Sequence, residues 1–308
     1  MDQEIWSGYQ RRAGSSVIIS NLLGGLGNQM FQYAVGRMLS LKYGVPLRLD
    51  LRMFSSHVIH QGFELARVFS GSFTPAELDD LRSTLGWQSS GFALRVLTRP
   101  QARFIRSRHL VVEPHFQYFD GINDVPSTCY LRGNWQSERY FSSVASTLRK
   151  DFSFRLPFSE KNKEIAKRMS AVNAVSLHVR RGDYLSNPHT LSYHGVCSME
   201  YYEQAIRHIA ERVTDPVFFV FSDDLEWVKS ALRMDHPCCY IDHNRESESY
   251  NDMRLMSLCS HHIIANSSFS WWGAWLNDSD TKIVVAPRQW FAKPVDVSDL
   301  LPDSWVRL

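Results

Sequence analysis

Residues 17–23 are β-branched and aliphatic, and they break abruptly at Gly24-Gly25-Leu26-Gly27. Helical spacing follows at once, with Met30, Tyr33, Ala34, Arg37, Met38 and Leu41 recurring at intervals of three and four over residues 28–43. Gly44-Val45-Pro46 stops that helix, and residues 47–50 read as a second strand. Strand, glycine turn, helix and strand in this order predict a βαβ unit. Parallel strands joined by a crossover helix confine the chain to the α/β class.

The same rhythm resumes near Ser159. Strands are predicted at 174–179, 217–221, 240–241, 263–264 and 283–285. Helices are predicted at 161–169, from an Ser198 N-cap to 213, and at 225–232, 250–259 and 269–276. Residues 53–128, rich in Ser, Arg and aromatics, show only local helices. A chain of 308 residues is long for one domain. Charge and Pro157 interrupt the pattern between Asp151 and Ser159, dividing the chain into an α/β domain at 1–155 and a second at 156–308. The expected architecture is therefore two α/β units facing a central cleft, with ligands beyond the carboxyl ends of the strands.

Charge narrows the function. With 34 Lys+Arg against 32 Asp+Glu, the net charge of +2 argues against a nucleic-acid coat, so an anionic ligand must be held by a local arrangement. Five cysteines without a CxxC pair support neither a disulfide framework nor a zinc knuckle, and a reducing cytoplasm is the expected compartment. Residues 1–12 lack the order of a signal peptide, and no apolar run approaches the ~18 residues that span a bilayer. The expectation is a soluble protein that is still free to rest on a membrane.

Four motifs sit just after predicted strands. Glycines of the first, with Gly25 and Gly27 in the turn, permit close backbone approach to a ligand at a helix N-terminus. The spacing is not that of a dinucleotide fingerprint, and an ordinary tight turn explains it equally well. Asn28 and Gln29 add amides expected at the mouth of the loop. In the second, His178-Val179-Arg180-Arg181-Gly182-Asp183-Tyr184, strand alternation puts His178 and Arg180 on one face. Adjacent guanidinium groups suit phosphate, or a structural Arg–Asp pair. The third, Ser222-Asp223-Asp224, reads either as a divalent-metal pair or, more commonly, as a helix cap. The fourth, from Asn266, places Ser267 and Ser268 where hydroxyls and free N–H groups can seat a phosphate. Its Trp271, Trp272 and Trp275 read as packing, although aromatic rings can also stack a base or sugar. The histidines, including His57, His60 and the pair His261-His262, show no metal-binding spacing.

Taken together and in order, residues 24–34, 178–184 and 266–275 resemble the bacterial α-1,2-fucosyltransferases of glycosyltransferase family 11. The resemblance is densest over residues 17–49 and 175–291 and loose over 53–128. It implies a GT-B-like fold, an acceptor-side first domain and a GDP-fucose-binding second domain. It also implies inverting transfer of L-fucose to the 2-hydroxyl of a galactose, and no metal or other cofactor. On that resemblance Arg180 takes up the charge of the leaving phosphate with the Ser267-Ser268 turn, and His178 orients the nucleotide or Arg180. Asp183 is then the candidate base, Asn28 positions the fucose or the acceptor hydroxyl, and Asp242 recognises guanine or serves as a cap or salt bridge. Non-catalytic sugar or nucleotide binding, or a metal-dependent transferase using Asp223 and Asp224, are the competing expectations. Its implied partners are GDP-fucose and a galactose-ended glycan, lactose-like or an O-antigen repeat. Arg95, Arg99, Arg103, Arg106 and Arg108 form either a solvated face or a contact for anionic lipid at the inner membrane.

Overall fold

The computed structural model describes residues 16–56, 61–182 and 188–308. Two parallel sheets organise it. The first contains β1 (Ile18–Asn21), β2 (Leu47–Asp50), β3 (Leu110–Val112) and β4 (Cys129–Arg132) in the order β2-β1-β4-β3. Ile18 is paired with Leu47 on one side and Cys129 on the other. The second contains β5 (Asn173–Val179), β6 (Pro216–Ser222), β7 (Cys238–Ile241), β8 (His261–Ile263), β9 (Val284–Ala286) and β10 (Val306–Arg307). Its order is β10-β9-β8-β5-β6-β7.

Helix α1 (Leu26–Tyr43) links β1 to β2 and ends at Gly44, whose φ of 65° is the left-handed conformation a glycine supplies without strain. In the second half, α2 (Glu160–Ser170), α3 (Met199–Ala210), α4 (Leu225–Ala231), α5 (Tyr250–Leu258) and α6 (Ser268–Leu276) alternate with the strands. Ser198 caps α3 by accepting from the Tyr201 N–H at 3.2 Å. Strand β5 shows why both faces must be covered. Val175, Leu177 and Val179 meet α3 on one side, while Ala174 joins Ile165, Met169, Leu255 and Met256 of α2 and α5 on the other.

Each sheet reverses its strand order at one place, between β1 and β4 in the first and between β5 and β8 in the second. Crevices open at such reversals, beyond the carboxyl ends of the strands. The glycine turn follows β1, Arg180 and Asn266 follow β5 and β8, and His178 lies in the last residues of β5. Topology thus brings the motifs together before any side chain is considered.

Sequence patterning did not anticipate β3, β4 or β10, which are only two to four residues long, too short to show a period. Helix α6 is apolar nearly all round because both sides are covered. Gly273 lies against Met256 of α5. On the opposite side Phe31 of α1 meets Trp271 and Trp272 at ring distances of 4.5 and 4.9 Å, and Phe141 stacks on Trp272 at 5.5 Å. The largest apolar core accordingly runs from Ile18 to Trp305 and is shared by residues on both sides of the expected domain boundary.

Candidate active site

The glycine turn is held by two glutamines of α1. Gln32 Oε1 accepts from the Leu23 N–H at 2.9 Å. Gln29 Nε2 donates to the carbonyls of Gly24 and Gly62 at 2.9 and 2.8 Å, and its Oε1 accepts from the Glu64 N–H. Gln29 is fully buried, so its amide braces the loop from within and does not stand at the mouth. Asn28 does face the other half. Its Oδ1 accepts from Gln136 Nε2 at 2.8 Å and from the Ser268 hydroxyl at 3.0 Å, joining the turns that follow β1, β4 and β8.

Gly27 lies where the two halves approach closely. A Cβ there would sit 2.6 Å from the Ser268 carbonyl carbon and 2.8 Å from the Phe269 nitrogen. Both obstacles are backbone at the start of α6, which cannot yield as a flexible side chain would. Gly27→Ala is therefore expected to cost about 1–3 kcal/mol, read from the midpoint of denaturant unfolding. An unchanged midpoint would mean that α6 can shift freely.

On the facing wall, β5 and β6 run side by side, with Val179 opposite Ser222. This register places Asp223 beside Arg180, whose Nε lies 3.4 Å from Asp223 Oδ2. The other oxygen of Asp223 accepts from the Arg181 N–H at 2.9 Å. Burial opposes ionisation of Asp223, but Arg180 and the amides of Arg181 and Gly182 outweigh it and keep the carboxyl below its ordinary pKa. His178, at 4% exposure, is held neutral by burial and by Arg180, well below its ordinary pKa. Its Nδ1 is buried without a hydrogen-bond partner among the described residues. Arg181 turns away, its guanidinium 3.9 Å above the Trp227 ring and its Nε 3.9 Å from Asp224.

Asp224 accepts from the Trp227 N–H at 3.3 Å and caps α4. In this structure the acidic pair weighed as metal ligands faces a guanidinium through Asp223 and a helix N-terminus through Asp224. Among the described residues no group of three or more His, Cys, Asp or Glu side chains could hold a metal ion. Asp183, the candidate base, lies outside the described residues, as do His57 and His60.

Ser267 caps α6 by accepting from the Phe269 N–H at 3.3 Å. Asn266 fixes the turn by donating to the carbonyls of His194 and Trp290 at 2.9 and 3.1 Å. These walls enclose a cavity of about 930 Å³ that Gly25, Gly27, Asn28, His178, Arg180 and Ser268 all line, together with Ser267 and Asp242. The volume suits a nucleotide-sized ligand.

Asp242 is more than half exposed and lies 3.5 Å from Lys161. Sequence reasoning missed a more enclosed carboxylate in the same cavity. Asp252, in the first turn of α5, accepts from Asn244 Nδ2 at 2.8 Å, and Asn244 is itself bonded to Asn162. Burial pushes the Asp252 carboxyl up to about 7 against the pull of the Asn244 amide. Also missed were Gln136 and the aromatic wall of Phe116 and Phe291, whose rings meet edge to face at 5.2 Å across the two halves. Only their polar or aromatic character was visible in sequence, because no neighbouring motif marks them. Among the described residues no helix is long and apolar enough to cross a membrane.

Comparison with known proteins agrees with this arrangement. The family model described as Glycosyl transferase family 11 matches residues 111–307. The chain is 36% identical to an Escherichia coli alpha-1,2-colitosyltransferase, covering 95% of this chain and 99% of that protein. It is 35% identical to the E. coli O-antigen biosynthesis glycosyltransferase WbnK, covering 94% and 99%. A mouse galactoside 2-alpha-L-fucosyltransferase, Sec1, is 23% identical over 68% of this chain and 66% of its own. In fold, the chain is similar to the fucosyltransferase NodZ from Bradyrhizobium, with a TM-score of 0.52 and 16% identity over 85% of this chain and 92% of that one. A NodZ alpha-1,6-fucosyltransferase crystal soaked with GDP-fucose gives 0.54 and 14% identity over 85% and 93%. Two parallel α/β units around one cavity are the GT-B-like architecture that the motifs implied. By sequence over nearly its whole length and by the fold that carries its motifs, the chain belongs to glycosyltransferase family 11.

Proposed function

We propose that the protein transfers L-fucose from GDP-fucose to the 2-hydroxyl of a galactose in an oligosaccharide, with inversion and without a metal. The observation that carries this reading is Arg180, held by Asp223 beside the start of α6 on the cavity wall. In the transfer, the acceptor oxygen bonds to the anomeric carbon as the bond from that carbon to the β-phosphate oxygen breaks. The electron pair departs with GDP, and the acceptor proton passes to a base. Charge grows on the β-phosphate, and an oriented guanidinium with helix N-terminal amides stabilises it without reorganising. His178 supports the phosphate or Arg180. Gly25 and Gly27 let the first-half backbone close over the sugar, and Asn28, bridging Gln136 and Ser268, orients the fucose or acceptor. Asp183 takes the base role that the motif assigns to it.

The E. coli colitosyltransferase is named for an alpha-1,2 linkage, and the mouse Sec1 is named a galactoside 2-alpha-L-fucosyltransferase. The colitosyltransferase favours a second reading of the donor, since colitose is L-fucose lacking its 3-hydroxyl. Incubation with each GDP-sugar and lactose in EDTA, with the product linkage read by NMR, separates the readings. A 2-linked fucose supports the first, a 2-linked colitose alone replaces it with the second, and turnover only after a divalent metal is restored overturns metal independence.

Guanine offers adjacent N–H donors that suit an ionised carboxylate, and Asp252 is better enclosed for this than Asp242. An Asp252 pKa near 7 means that acid protonates the acceptor and weakens the contact. GDP affinity is expected to rise about tenfold from pH 6 to pH 8, following the ionised fraction. Asp252→Asn should bind weakly and without that slope in calorimetric titration. An equal slope in the variant would return the role to Asp242.

A further inference from the structure

The five most exposed large apolar side chains among the described residues all fall between residues 78 and 105. Four of them, Trp87, Phe92, Phe104 and Ile105, are 70, 82, 81 and 63% exposed. Residues 86–108 also contain five arginines and no acidic residue, in a chain whose net charge is only +2.

This layer is fastened beneath. Ala93, Leu94 and Leu97 are buried with Val17, Ile19, Leu110 and Tyr130 on one face of the first sheet. Gln88 Nε2 donates to the Ile105 carbonyl at 3.2 Å, and Gln88 Oε1 accepts from the Ser107 N–H at 3.0 Å, bringing the Trp87 turn beside Phe104 and Ile105. Arg106 donates to the carbonyls of Leu97 and Arg99 at 2.8 and 3.2 Å, so its guanidinium serves the fold. Arg95, Arg99, Arg103 and Arg108 remain exposed, with the Arg103 guanidinium 4.5 Å from the Phe104 ring.

We infer that this face docks the protein on an anionic lipid surface. Aromatic and aliphatic side chains flanked by arginine are the composition that enters the headgroup region, with the rings below and the guanidinium groups at phosphate level. Each apolar side chain is too exposed to be covered by its neighbours. Their interspersed arginines do not match the charge-depleted core of a protein interface, whereas a fluid lipid surface accepts rings and guanidinium groups together. The positive charge of residues 86–108 supplies attraction that acts within a Debye length of the membrane.

Vesicle flotation tests this with the full chain, comparing phosphatidylcholine vesicles with vesicles containing one-third phosphatidylglycerol. The expected result is flotation with the anionic vesicles, reversed by high salt. Arg95→Glu with Arg99→Glu should reduce partitioning at least tenfold. Phe92→Ser with Phe104→Ser should reduce it at 0.1 M salt while leaving the melting profile unchanged. Absence of flotation with anionic vesicles, or undiminished flotation of both double variants, would overturn the inference. So would a sedimenting dimer of the wild type that Phe92→Ser with Phe104→Ser dissociates, because the face would then serve a second copy.

Discussion

Arg180→Ala is expected to lower the transfer rate by about 10²–10³-fold, the usual loss when one preorganised donor to a developing oxyanion is removed. The fold should survive. Asp223 keeps the backbone N–H groups of Arg181 and Gly182 when the guanidinium is gone, so its carboxylate is not stranded. Arg180→Lys is not a conservative test here. One ammonium cannot match a fork that faces Asp223 and, on the proposed function, must also take up a phosphate. Both variants should therefore fall in kcat, with melting profiles close to wild type. A wild-type rate in Arg180→Ala would remove the assignment and favour a binding role for the cavity.

Trp272→Ala should be the most damaging packing change, at about 3–5 kcal/mol. The ring is fully buried between Phe31, Phe141 and Phe152, and its Nε1 donates to the Gly27 carbonyl at 2.9 Å. One side chain thus fills the joint between the halves and ties α6 to the glycine turn. Trp272→Phe separates these contributions, since it keeps most of the packing and removes only the indole bond to a carbonyl that α1 already pairs, at about 0.5–1.5 kcal/mol. Denaturant midpoints for the two variants check the order. Equal small losses would show that the joint is held elsewhere. Transfer should fall in Trp272→Ala even below its melting temperature, because Gly25, Gly27 and Asn28 reach the cavity from the segment that α6 positions.

Much of the candidate site was readable because its chemistry is contiguous in the chain. His178 near the end of an apolar strand and Arg180 just after it are two residues apart, and alternation alone predicts that they share a face. Ser198 and Gly44 announced a helix start and a helix end by their local chemistry. What stayed hidden depends on tertiary assembly. Asn28 and Gln29 are adjacent amides, yet the turn of one residue around α1 sends one to the cavity and buries the other against Gly24 and Gly62. Asp252 resembles any acidic residue near a helix start until Asn244 and its neighbours enclose it. The tryptophans of α6 were read as packing, but not that their partners would be Phe31 and Phe141 of the other half. The three short strands offered no period to read, although β4 delivers Gln136 to the site.

The most direct measurement is a crystal structure of the protein with GDP bound. The account predicts the β-phosphate within about 3 Å of the Arg180 guanidinium and the first amides of α6. It also predicts the guanine against Asn244 and Asp252. GDP bound outside this cavity, or within it with the phosphates directed away from Arg180, would contradict the account.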